Sequence, residues 1–491
     1  MAPCAALLGV FVLLLSHAST AHVQRDASDT RPTVAIVGAG ISGSTAAHYL
    51  NRMLGDGAVI HVYEKDNIGG RAQSFDLDDD VHELGAAMFV KENRYMVDLV
   101  QQMNLTLAEP LTAFPAGLWD GANFVFNESD SKWATAYRLA RRYGLDAYRL
   151  NSASWDVFRK LDAVYGLQEE GRAFETPEAL LAELGLLEMT QVSHEEFLKG
   201  RLGRGGRGNE LLEEELVSAA NGCNYNQENS ELNALAGTAS MFPLATAQAY
   251  RVKEGNVRLM QQLLISSGSH IHPTSMVTEV FKYAEGGYML WVKREPEGAE
   301  PGSQDMSEVE PRLEGPFDYV IIAAPIEVTG MAFSEMPCER PPNQGRTFQF
   351  VVTSYVRGLL RPEYFGVETV PDSVLTTRKG AREEPFGSVQ TVRKFEDGTH
   401  FYKVFSHAPI EPETMQKVFK NVTWAGAQPW HAYPAFSPPE AFSSFRICED
   451  VYYVNSFENA VSTMETQAIA ARNVALLVVE AMNAPEEEEG G

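Results

Sequence analysis

Short apolar runs and segments of helical periodicity alternate along the chain. Residues 33–37 and 59–63 are β-branched runs typical of strands buried in a parallel sheet, and residues 44–54 between them have a helical composition. Residues 317–325 predict another buried strand. From 131 to 216, apolar positions recur at helical intervals instead. The pattern predicts an α/β fold with a mainly helical segment inserted into it.

The first predicted strand runs into a glycine-rich turn. Gly38, Gly40 and Gly43 have the G-x-G-x-x-G spacing of a dinucleotide-binding βαβ unit. Such glycines allow a tight turn and bring a pyrophosphate to the N-terminus of the next helix. Glu64 ends the second strand about 20 residues later, where a carboxylate can accept hydrogen bonds from an adenosine ribose. An ordinary βα turn is the alternative to this Rossmann-type unit.

A second set of glycines follows Glu64. Gly70 and Arg71 come soon after it, and a Gly-Ala pair, Gly85 and Ala86, comes later. Binding of NAD does not need them. They resemble the FAD-binding half of the flavin amine oxidase superfamily, which implies that Arg71 lies by the pyrophosphate and that the Gly-Ala turn approaches the flavin. A surface arginine is the alternative for Arg71.

Three consecutive aspartates occupy positions 78–80, between two short strand-like segments. Adjacent positions on a tight turn point in different directions. We therefore interpret them as a solvated hairpin tip and expect no metal site.

The nucleotide-binding domain is expected to return twice. Residues 250–256 precede a helix and the strand-like segment 276–280, and residues 451–454 form a strand before a helix that continues to about 479. Ser462 or Thr463 can cap that helix and leave free N–H groups at its first turn.

The superfamily resemblance gives these returning segments a role. It implies that Val277 holds the adenine through its backbone, with plain core packing as the alternative. It also implies that the first turn of the last helix faces the flavin, where its positive end stabilises negative charge on the ring. Glu458, Thr463 and Met464 are accordingly assigned to the cofactor.

Other segments narrow the resemblance to the prenylcysteine oxidase family, including its farnesylcysteine lyase branch. The segments that carry it are 355–360, 364–366, 374–377, 430–434, 453–459 and 462–466. Two departures lie near the expected meeting of substrate domain and flavin. The family's Glu-Gly-Gly-Asn is Glu254-Gly255-Asn256 here, and Asn226 replaces the glycine of Asn-Tyr-Gly-Gln. Both leave an altered substrate preference open.

The family resemblance implies oxidative cleavage of a prenyl thioether by FAD and O2, giving cysteine, a prenyl aldehyde and hydrogen peroxide. This chemistry needs an apolar slot and an oriented flavin rather than a catalytic triad or a metal. The catalytic side chains stay unknown. Trp430, His431 and Tyr433 are weak candidates, with core packing or a surface position as the alternative for each.

Two other functions stay open. One is a flavin oxidase for an amine or another apolar substrate, and the other is a secreted homologue without turnover. Peroxide release with a polyamine would favour the first, and purified protein without flavin absorption would favour the second.

We expect a discontinuous FAD-binding domain with an inserted α+β substrate domain. The predicted boundaries are 1–21 for a signal peptide, 32–105, 250–330 and 445–482 for the FAD-binding domain, 106–249 and 331–444 for the substrate domain, and 483–491 for an acidic tail.

The N-terminus and the glycosylation motifs predict a secretory protein. Residues 1–21 have the length and order of a signal peptide, although they contain no Lys or Arg. Asn104, Asn127 and Asn421 begin N-x-[ST] triplets. Three cysteines remain after cleavage, so at most one internal disulfide can form. Lysosome, vacuole and extracellular space are all compatible with this sequence.

The formal net charge of −26 argues against a nucleic-acid partner, whose phosphates need Lys and Arg. Four arginines nevertheless cluster among aromatic residues of the helical segment: Arg138, Arg141, Arg142 and Arg149. Core packing of that segment is the simpler interpretation, and peripheral contact with an anionic membrane is the alternative. Oligomeric state stays unknown.

Overall fold

The computed structural model describes residues 29–78, 80–108, 115–202, 207–246, 248–295, 305–336 and 346–484. The predicted signal peptide, the glycine-rich loop at 203–206 and the tail from 485 lie outside the described residues.

A parallel βαβ unit opens the described chain. Its strands confirm the predicted bounds, whereas the helix begins three residues earlier than predicted, because the Gly40 carbonyl already accepts the Ser44 N–H. The elements of this first stretch are β1 (Thr33–Val37), α1 (Ile41–Leu54), β2 (Val59–Tyr63), β3 (Ser74–Leu77), β4 (Asp80–Glu83) and α2 (Arg94–Gln102).

A mainly helical stretch follows, as predicted. Side chains of Ser131, Thr176, Ser193 and Asn233 accept hydrogen bonds from first-turn N–H groups and so fix four of its helix starts. Its elements are β5 (Ala116–Trp119), β6 (Phe124–Asn127), α3 (Lys132–Tyr143), α4 (Asp146–Glu169), α5 (Pro177–Glu183), α6 (His194–Arg201), α7 (Arg207–Leu212), α8 (Ser218–Tyr225), α9 (Ala234–Ser240) and α10 (Phe242–Thr246).

The chain then returns to the first domain. Here β10 pairs antiparallel with β9, and the strand predicted from 317 begins at Tyr319. The elements are α11 (Asn256–Ser266), β7 (His270–His272), β8 (Ser275–Lys282), β9 (Tyr288–Arg294), β10 (Arg312–Phe317), β11 (Tyr319–Ile322), α12 (Ile326–Thr329) and β12 (Ala332–Ser334).

The remaining chain adds elements both to the first domain and to the rest of the molecule. Its elements are β13 (Phe348–Leu360), β14 (Ser373–Thr376), α13 (Gly380–Glu383), β15 (Ser388–Lys394), β16 (His400–Ser406), α14 (Pro412–Val418), β17 (Phe419–Pro434), β18 (Arg446–Cys448), β19 (Val451–Tyr453) and α15 (Met464–Asn483).

Four described sheets hold these strands together. The first has the order β18-β19-β11-β1-β2-β7, parallel apart from β18. It brings β1, β11 and β19, from three distant stretches, side by side. A seven-stranded sheet, β17-β13-β16-β15-β14-β5-β6, belongs to the other part of the molecule. A four-stranded sheet, β10-β9-β8-β12, and the β3-β4 hairpin complete the set. The predicted domain boundaries themselves stay a prediction.

The aspartate turn does more than face solvent. Asp78 pairs with Arg357 at 3.1 Å, and Asp80 pairs with Arg251 at 3.2 Å, while Asp79 lies outside the described residues. The predicted hairpin tip is confirmed, since both side chains stay partly exposed, and the structure adds two ion pairs to basic residues distant in sequence. Within the described ranges no cluster of three metal-ligating side chains occurs.

Core packing accounts for only part of the helical segment. Tyr143, Leu150 and Leu161 are buried, as core packing predicts. Trp133 and Tyr137 on α3 are instead exposed. Core packing therefore holds for Tyr143 at the end of α3 but was the wrong interpretation of Trp133 and Tyr137, since periodicity identifies a helical face but not what covers it.

Candidate cofactor and substrate site

The glycine-rich turn between β1 and α1 forms a backbone cradle without room for side chains. Gly38 has a φ of +106°, and a Cβ there would lie 2.9 Å from the carbonyl oxygen of Ala323. A Cβ on Gly43 would lie 1.9 Å from the Gly38 oxygen. Gly40 precedes α1 without a side-chain cap, so first-turn N–H groups of the helix can serve another acceptor. A pyrophosphate fits this cradle.

The second glycine pair closes the cradle from the other side. Gly69 donates its N–H to the Ala39 oxygen at 3.0 Å. Gly70 has a φ of +54°, and a Cβ there would lie 3.3 Å from the Gly40 Cα. The two glycine turns predicted separately therefore form one surface.

Glu64 lies at the end of β2, where its carboxylate is buried. Its Oε2 accepts the Ala39 N–H at 2.8 Å, and its Oε1 accepts the Asp66 N–H at 2.9 Å. Burial raises the pKa of Glu64, although these N–H groups partly offset that effect. The backbone of Glu64 also receives the Ser275 N–H at 2.7 Å, which fixes the start of β8 and Val277 beside it.

Arg71 and Glu458 meet although 387 positions separate them. The Arg71 guanidinium donates to the Glu458 carboxylate and to the Ala432 oxygen, the latter at 2.9 Å. Ser462 donates its hydroxyl to Glu458 Oε1 at 3.2 Å. The Glu458 side chain is fully buried, and its Oε2 has no hydrogen-bond partner among the described residues. An unpaired buried acceptor indicates that a ligand donor belongs there.

The N-terminus of α15 points into the same region. Thr463 caps it, as predicted: its Oγ1 accepts the Thr466 N–H at 3.1 Å, and Thr466 Oγ1 accepts the Thr463 N–H at 3.1 Å. This capping box leaves Met464 at the first helical position, and α15 packs along α1. Two helix N-termini therefore converge on one site.

The Gly-Ala turn packs closely against Arg71. A Cβ on Gly85 would lie 2.0 Å from the Arg71 oxygen and 3.3 Å from the Trp430 ring, and the Ala86 N–H donates to that same oxygen at 3.0 Å. Only glycine fits at position 85. The turn therefore brings the first domain against the indole of the long strand β17.

One cavity of about 580 Å³ joins these parts. Of the predicted cofactor residues, only Gly43 does not line it, because its role is the close packing described above. Those that line it are Gly38, Gly40, Glu64, Gly70, Arg71, Gly85, Ala86, Val277, Glu458, Thr463 and Met464. Trp430, His431 and Tyr433 also line the cavity, so the weak catalytic candidates lie together at its far end.

The far end of the cavity is aromatic. Tyr225 and Tyr433 pack edge to face with their ring centroids 5.4 Å apart. Tyr225 donates its hydroxyl to the Ser462 oxygen at 3.3 Å, which links this pair to the start of α15. The Trp430 indole donates to Thr353 Oγ1 at 3.0 Å. Val351 of β13 also lines the cavity.

Lys403 is a cation that the sequence interpretation did not identify. It lies on β16, buried, and donates to the Glu83 carbonyl oxygen at 2.7 Å. Burial lowers its pKa to about 8. Within the described chain no ion pair shorter than 4 Å involves Lys403. The Glu83 carboxylate partly offsets the effect of burial on this pKa but forms no ion pair with Lys403. A buried ammonium of this kind is costly, which marks Lys403 as a functional candidate.

Cys223 and Gln390 complete this polar end. Gln390 donates to the Cys223 sulfur at 3.0 Å and is the cross-strand partner of Lys403. Cys223 is a free thiol whose pKa is raised by burial. One sequence signal could have pointed to this end: Phe401, Lys403 and Phe405 alternate on one strand face, so a lysine sits on an otherwise aromatic face.

The residues of the family departures also have defined positions. Asn226 has a φ of +55° at the C-cap of α8, a conformation that glycine favours and asparagine tolerates. Asn256 is fully buried and donates to the Ala86 oxygen at 2.9 Å. The changed motifs therefore retain the backbone shape of the turn and its contact with the Gly-Ala segment.

These residues fit a flavin dinucleotide. The glycine cradle has the shape for a pyrophosphate, Glu64 and Val277, predicted to hold the adenosine, line the cavity beside it, and the α15 N-terminus with the unpaired Glu458 oxygen lies toward the aromatic end. The helix N-termini favour negative charge on such a ligand. FAD is the cofactor that this arrangement accommodates.

Comparison with protein families gives two matches. A prenylcysteine lyase family model matches residues 126–489, and an NAD(P)-binding Rossmann-like domain model matches residues 36–103. Together they cover nearly all of the described chain.

Characterised relatives match over almost their full length. Farnesylcysteine lyase of Arabidopsis thaliana is 30% identical, over 96% of this chain and 93% of that protein. Prenylcysteine oxidase 1 of Homo sapiens is 28% identical, over 97% of this chain and 94% of that protein. Prenylcysteine oxidase 1-like of Bos taurus is 30% identical, over 97% and 95%.

Solved structures share the fold. Putrescine oxidase bound to putrescine has a TM-score of 0.57 at 14% identity, covering 92% of this chain and 99% of that one. Cyclohexylamine oxidase from Brevibacterium oxydans has a TM-score of 0.55 at 14% identity, covering 92% and 100%. At this identity the likeness is evidence for the fold alone. No described helix has the length and apolar character needed to cross a bilayer.

Proposed function

Because the chain belongs to the prenylcysteine lyase family, we propose that it is an FAD-dependent oxidase that cleaves the thioether of a prenylcysteine. The products are cysteine, a prenyl aldehyde and hydrogen peroxide. The observation that carries this proposal is the single cavity, which joins the glycine cradle and the α15 N-terminus to an aromatic end containing Trp430 and Tyr433.

The proposed reaction balances without an acid, base or metal of the protein. A hydride leaves the allylic carbon beside sulfur, since both the alkene and the sulfur spread the resulting positive charge. Water adds to that carbon, and the hemithioacetal collapses to aldehyde and thiol. Bound FAD supplies the chemistry of accepting the hydride and passing two electrons to O2, which becomes hydrogen peroxide.

In this proposal the protein binds and orients the substrate and shields it from bulk water. Tyr225, Tyr433 and Trp430 form aromatic walls for an apolar chain and hold its reactive carbon in place. The buried ammonium of Lys403 favours an anionic group at the same end, and a prenylcysteine carries a carboxylate. Arg71, which pairs with Glu458, also donates to the Ala432 oxygen of β17 and so links the cofactor side of the cavity to that strand.

An amine oxidase activity has less support. A substrate such as putrescine carries only positive charge, which the buried Lys403 would repel, whereas a prenylcysteine also offers a carboxylate. A homologue without turnover would not need the unfilled glycine cradle or the unpaired Glu458 oxygen. The anaerobic mixing experiment described next distinguishes both alternatives from the thioether proposal.

Anaerobic mixing of the purified yellow protein with farnesylcysteine tests the proposal. We expect the visible flavin band to bleach and to recover when O2 is admitted, with one peroxide formed per aldehyde. Putrescine serves as the comparison substrate. Bleaching by putrescine alone supports the amine alternative, no bleaching by either substrate contradicts the thioether proposal, and protein purified without flavin supports the homologue without turnover.

We further propose a place in the secretory pathway, in lysosome, vacuole or extracellular space. Asn104, Asn127 and Asn421 of the three glycosylation triplets are exposed, and Cys448 is disulfide-bonded, which suits an oxidising compartment. Glycosidase treatment of protein from secreting cells should lower its apparent mass; an unchanged mass would contradict this placement. A peripheral membrane contact is also part of the proposal, because prenyl chains partition into lipid.

A further inference from the structure

The hairpin formed by α3 and α4 exposes four large apolar side chains that do not line the cavity. Trp133 is 88% exposed, Tyr137 67%, Leu145 72% and Tyr148 73%. Trp133 and Tyr137 are one helical turn apart on α3, and Leu145 and Tyr148 lie where the chain enters α4. Soluble proteins rarely expose such clusters without a partner. These four residues are the hairpin surface.

The hairpin surface is flanked by positive charge. α3 contains Lys132, Arg138, Arg141 and Arg142 and no acidic residue. Arg142 is neutralised by Glu215 at 2.6 Å. No ion pair involves the other three cations of α3 within the described ranges. A face with unpaired cations in a chain of net charge −26 can orient the molecule toward an anionic surface, since the rest of the protein is repelled.

The predicted patch of four arginines needs a correction. Arg149 pairs with Asp146 at 2.7 Å, and Arg142 pairs with Glu215, so these two contribute little net charge. Arg138 donates to the backbone oxygens of Asn127 and Glu128, and its guanidinium keeps its charge. The effective cations are therefore Lys132, Arg138 and Arg141.

Further along α4, a series of aromatic contacts leads toward the cavity. Trp155 and Phe158 lie along α4 and pack edge to face at 5.6 Å. Phe158 packs on Phe242 of α10 at 5.7 Å, and the next residue, Pro243, lines the cavity. From Tyr148 to Phe158 is about 15 Å along the helix axis at 1.5 Å per residue.

We infer that the hairpin surface docks on an anionic lipid bilayer and that the protein takes its prenylated substrate from that bilayer. Trp and Tyr side chains sit at the level of lipid head groups, and Lys and Arg bind anionic lipids there. The aromatic path along α4 then offers a prenyl chain a route to α10. This inference rests on the proposed function for its substrate, whereas docking itself does not depend on catalysis.

Vesicle co-sedimentation of the flavin-loaded protein tests the docking. The vesicles are phosphatidylcholine with and without phosphatidylserine. Wild type should bind the anionic vesicles. Trp133→Ala/Tyr137→Ala and, separately, Arg138→Gln/Arg141→Gln should each weaken binding about tenfold or more. The matched control is Ile265→Ala/Arg258→Gln on α11, whose Ile265 is 65% exposed, and it should bind like wild type.

A second readout locates the contact. Lipids brominated near the head group should quench tryptophan fluorescence in wild type, and Trp133→Phe should lose most of that quenching. Equal binding to both vesicle types, or equal binding by all variants, would overturn the inference. Dimeric wild type that becomes monomeric in the aromatic variant would also overturn it, because a second copy of the chain would then cover the surface.

Activity separates this inference from the proposed function. Peroxide formation from farnesylcysteine dissolved in buffer should be the same in wild type and both docking variants, while the rate with substrate embedded in anionic vesicles should fall about tenfold in the variants. Loss of vesicle activity without loss of binding would contradict substrate uptake from the bilayer. Inactive wild type that still docks would contradict the proposed function alone.

Discussion

At the scale of single residues, the cavity is organised by buried charges that act on different partners. Glu64 is held by two backbone N–H groups, Arg71 is neutralised by Glu458, and Lys403 forms no ion pair within 4 Å among the described residues, although the Glu83 carboxylate attracts it. The first two mark the cofactor side, and Lys403 marks the substrate side. Each predicts a separate effect of substitution.

Substitution of Glu64 tests the adenosine end. Glu64→Ala should remove most bound FAD, because the cradle loses the carboxylate assigned to the ribose. The apoprotein should stay folded and lose about 1–3 kcal/mol for the buried acceptor. The ratio of flavin to protein absorbance and the urea-unfolding curve measure the two effects. Lys91→Ala, at an exposed position that does not line the cavity, is the control; full flavin content in Glu64→Ala would show that the adenosine lies elsewhere.

Substitution of Lys403 tests the substrate end. Lys403→Met should retain FAD and keep or gain stability, because a buried cation is removed, while kcat/KM for farnesylcysteine should fall about tenfold or more. Since the pKa of Lys403 is about 8, the cation is present below that pH and lost above it. Wild-type kcat/KM should therefore decline above pH 8, and the variant should lack that decline. A pH profile shared by both proteins would contradict this role.

At the scale of elements, the start of α15 combines a stability role with a binding role. Its cap fixes the first turn, and that turn lines the cavity. A cap elsewhere in the chain should contribute only stability. The two roles can be separated because a second threonine cap, Thr176 at the start of α5, does not line the cavity.

Removal of the two threonine caps gives the comparison. Thr463→Ala and Thr176→Ala should each cost about 1 kcal/mol of unfolding free energy. Only Thr463→Ala should also weaken FAD, because the α15 N-terminus loses its fixed orientation toward the ligand. Thermal unfolding and flavin retention after gel filtration measure these effects. Equal flavin loss in both variants would mean that stability alone controls binding.

At the scale of the whole molecule, two sets of buried groups oppose each other as pH changes. Burial lowers the pKa of His61 to about 4 and that of His272 to about 3. Burial raises the pKa of Glu440 and of Glu465 to about 7. The histidines contribute stability above pH 6.5 that is lost as pH falls through about 4. The carboxyls contribute stability below pH 4.5 that is lost as pH rises through about 7.

The two sets therefore partly cancel between about pH 4.5 and 6.5, where both titrate. His61→Phe should remove part of the loss on acidification, so that its unfolding free energy relative to wild type rises by about 2 kcal/mol from pH 7 to pH 4.5. Urea unfolding at the two pH values measures this change. A difference that is independent of pH would contradict the role of His61.

The sequence by itself determined the local parts of the site. Gly38 and Gly70 are needed for positive φ, Thr463 is a cap, and the first strands are continuous β-branched runs; each is a property of a few adjacent residues, which a sequence displays directly. The family motifs then supplied the identity of the cofactor, and 11 of the 12 residues assigned to it line one cavity.

Only the tertiary structure decided which distant side chains meet and what remains uncovered. The Arg71–Glu458 pair, the aromatic contact of Tyr225 with Tyr433, and the buried position of Lys403 all depend on how separate sheets pack. The exposure of Trp133 has the same cause. Periodicity gives each element an apolar face, but long-range packing selects whether core, ligand or solvent covers that face.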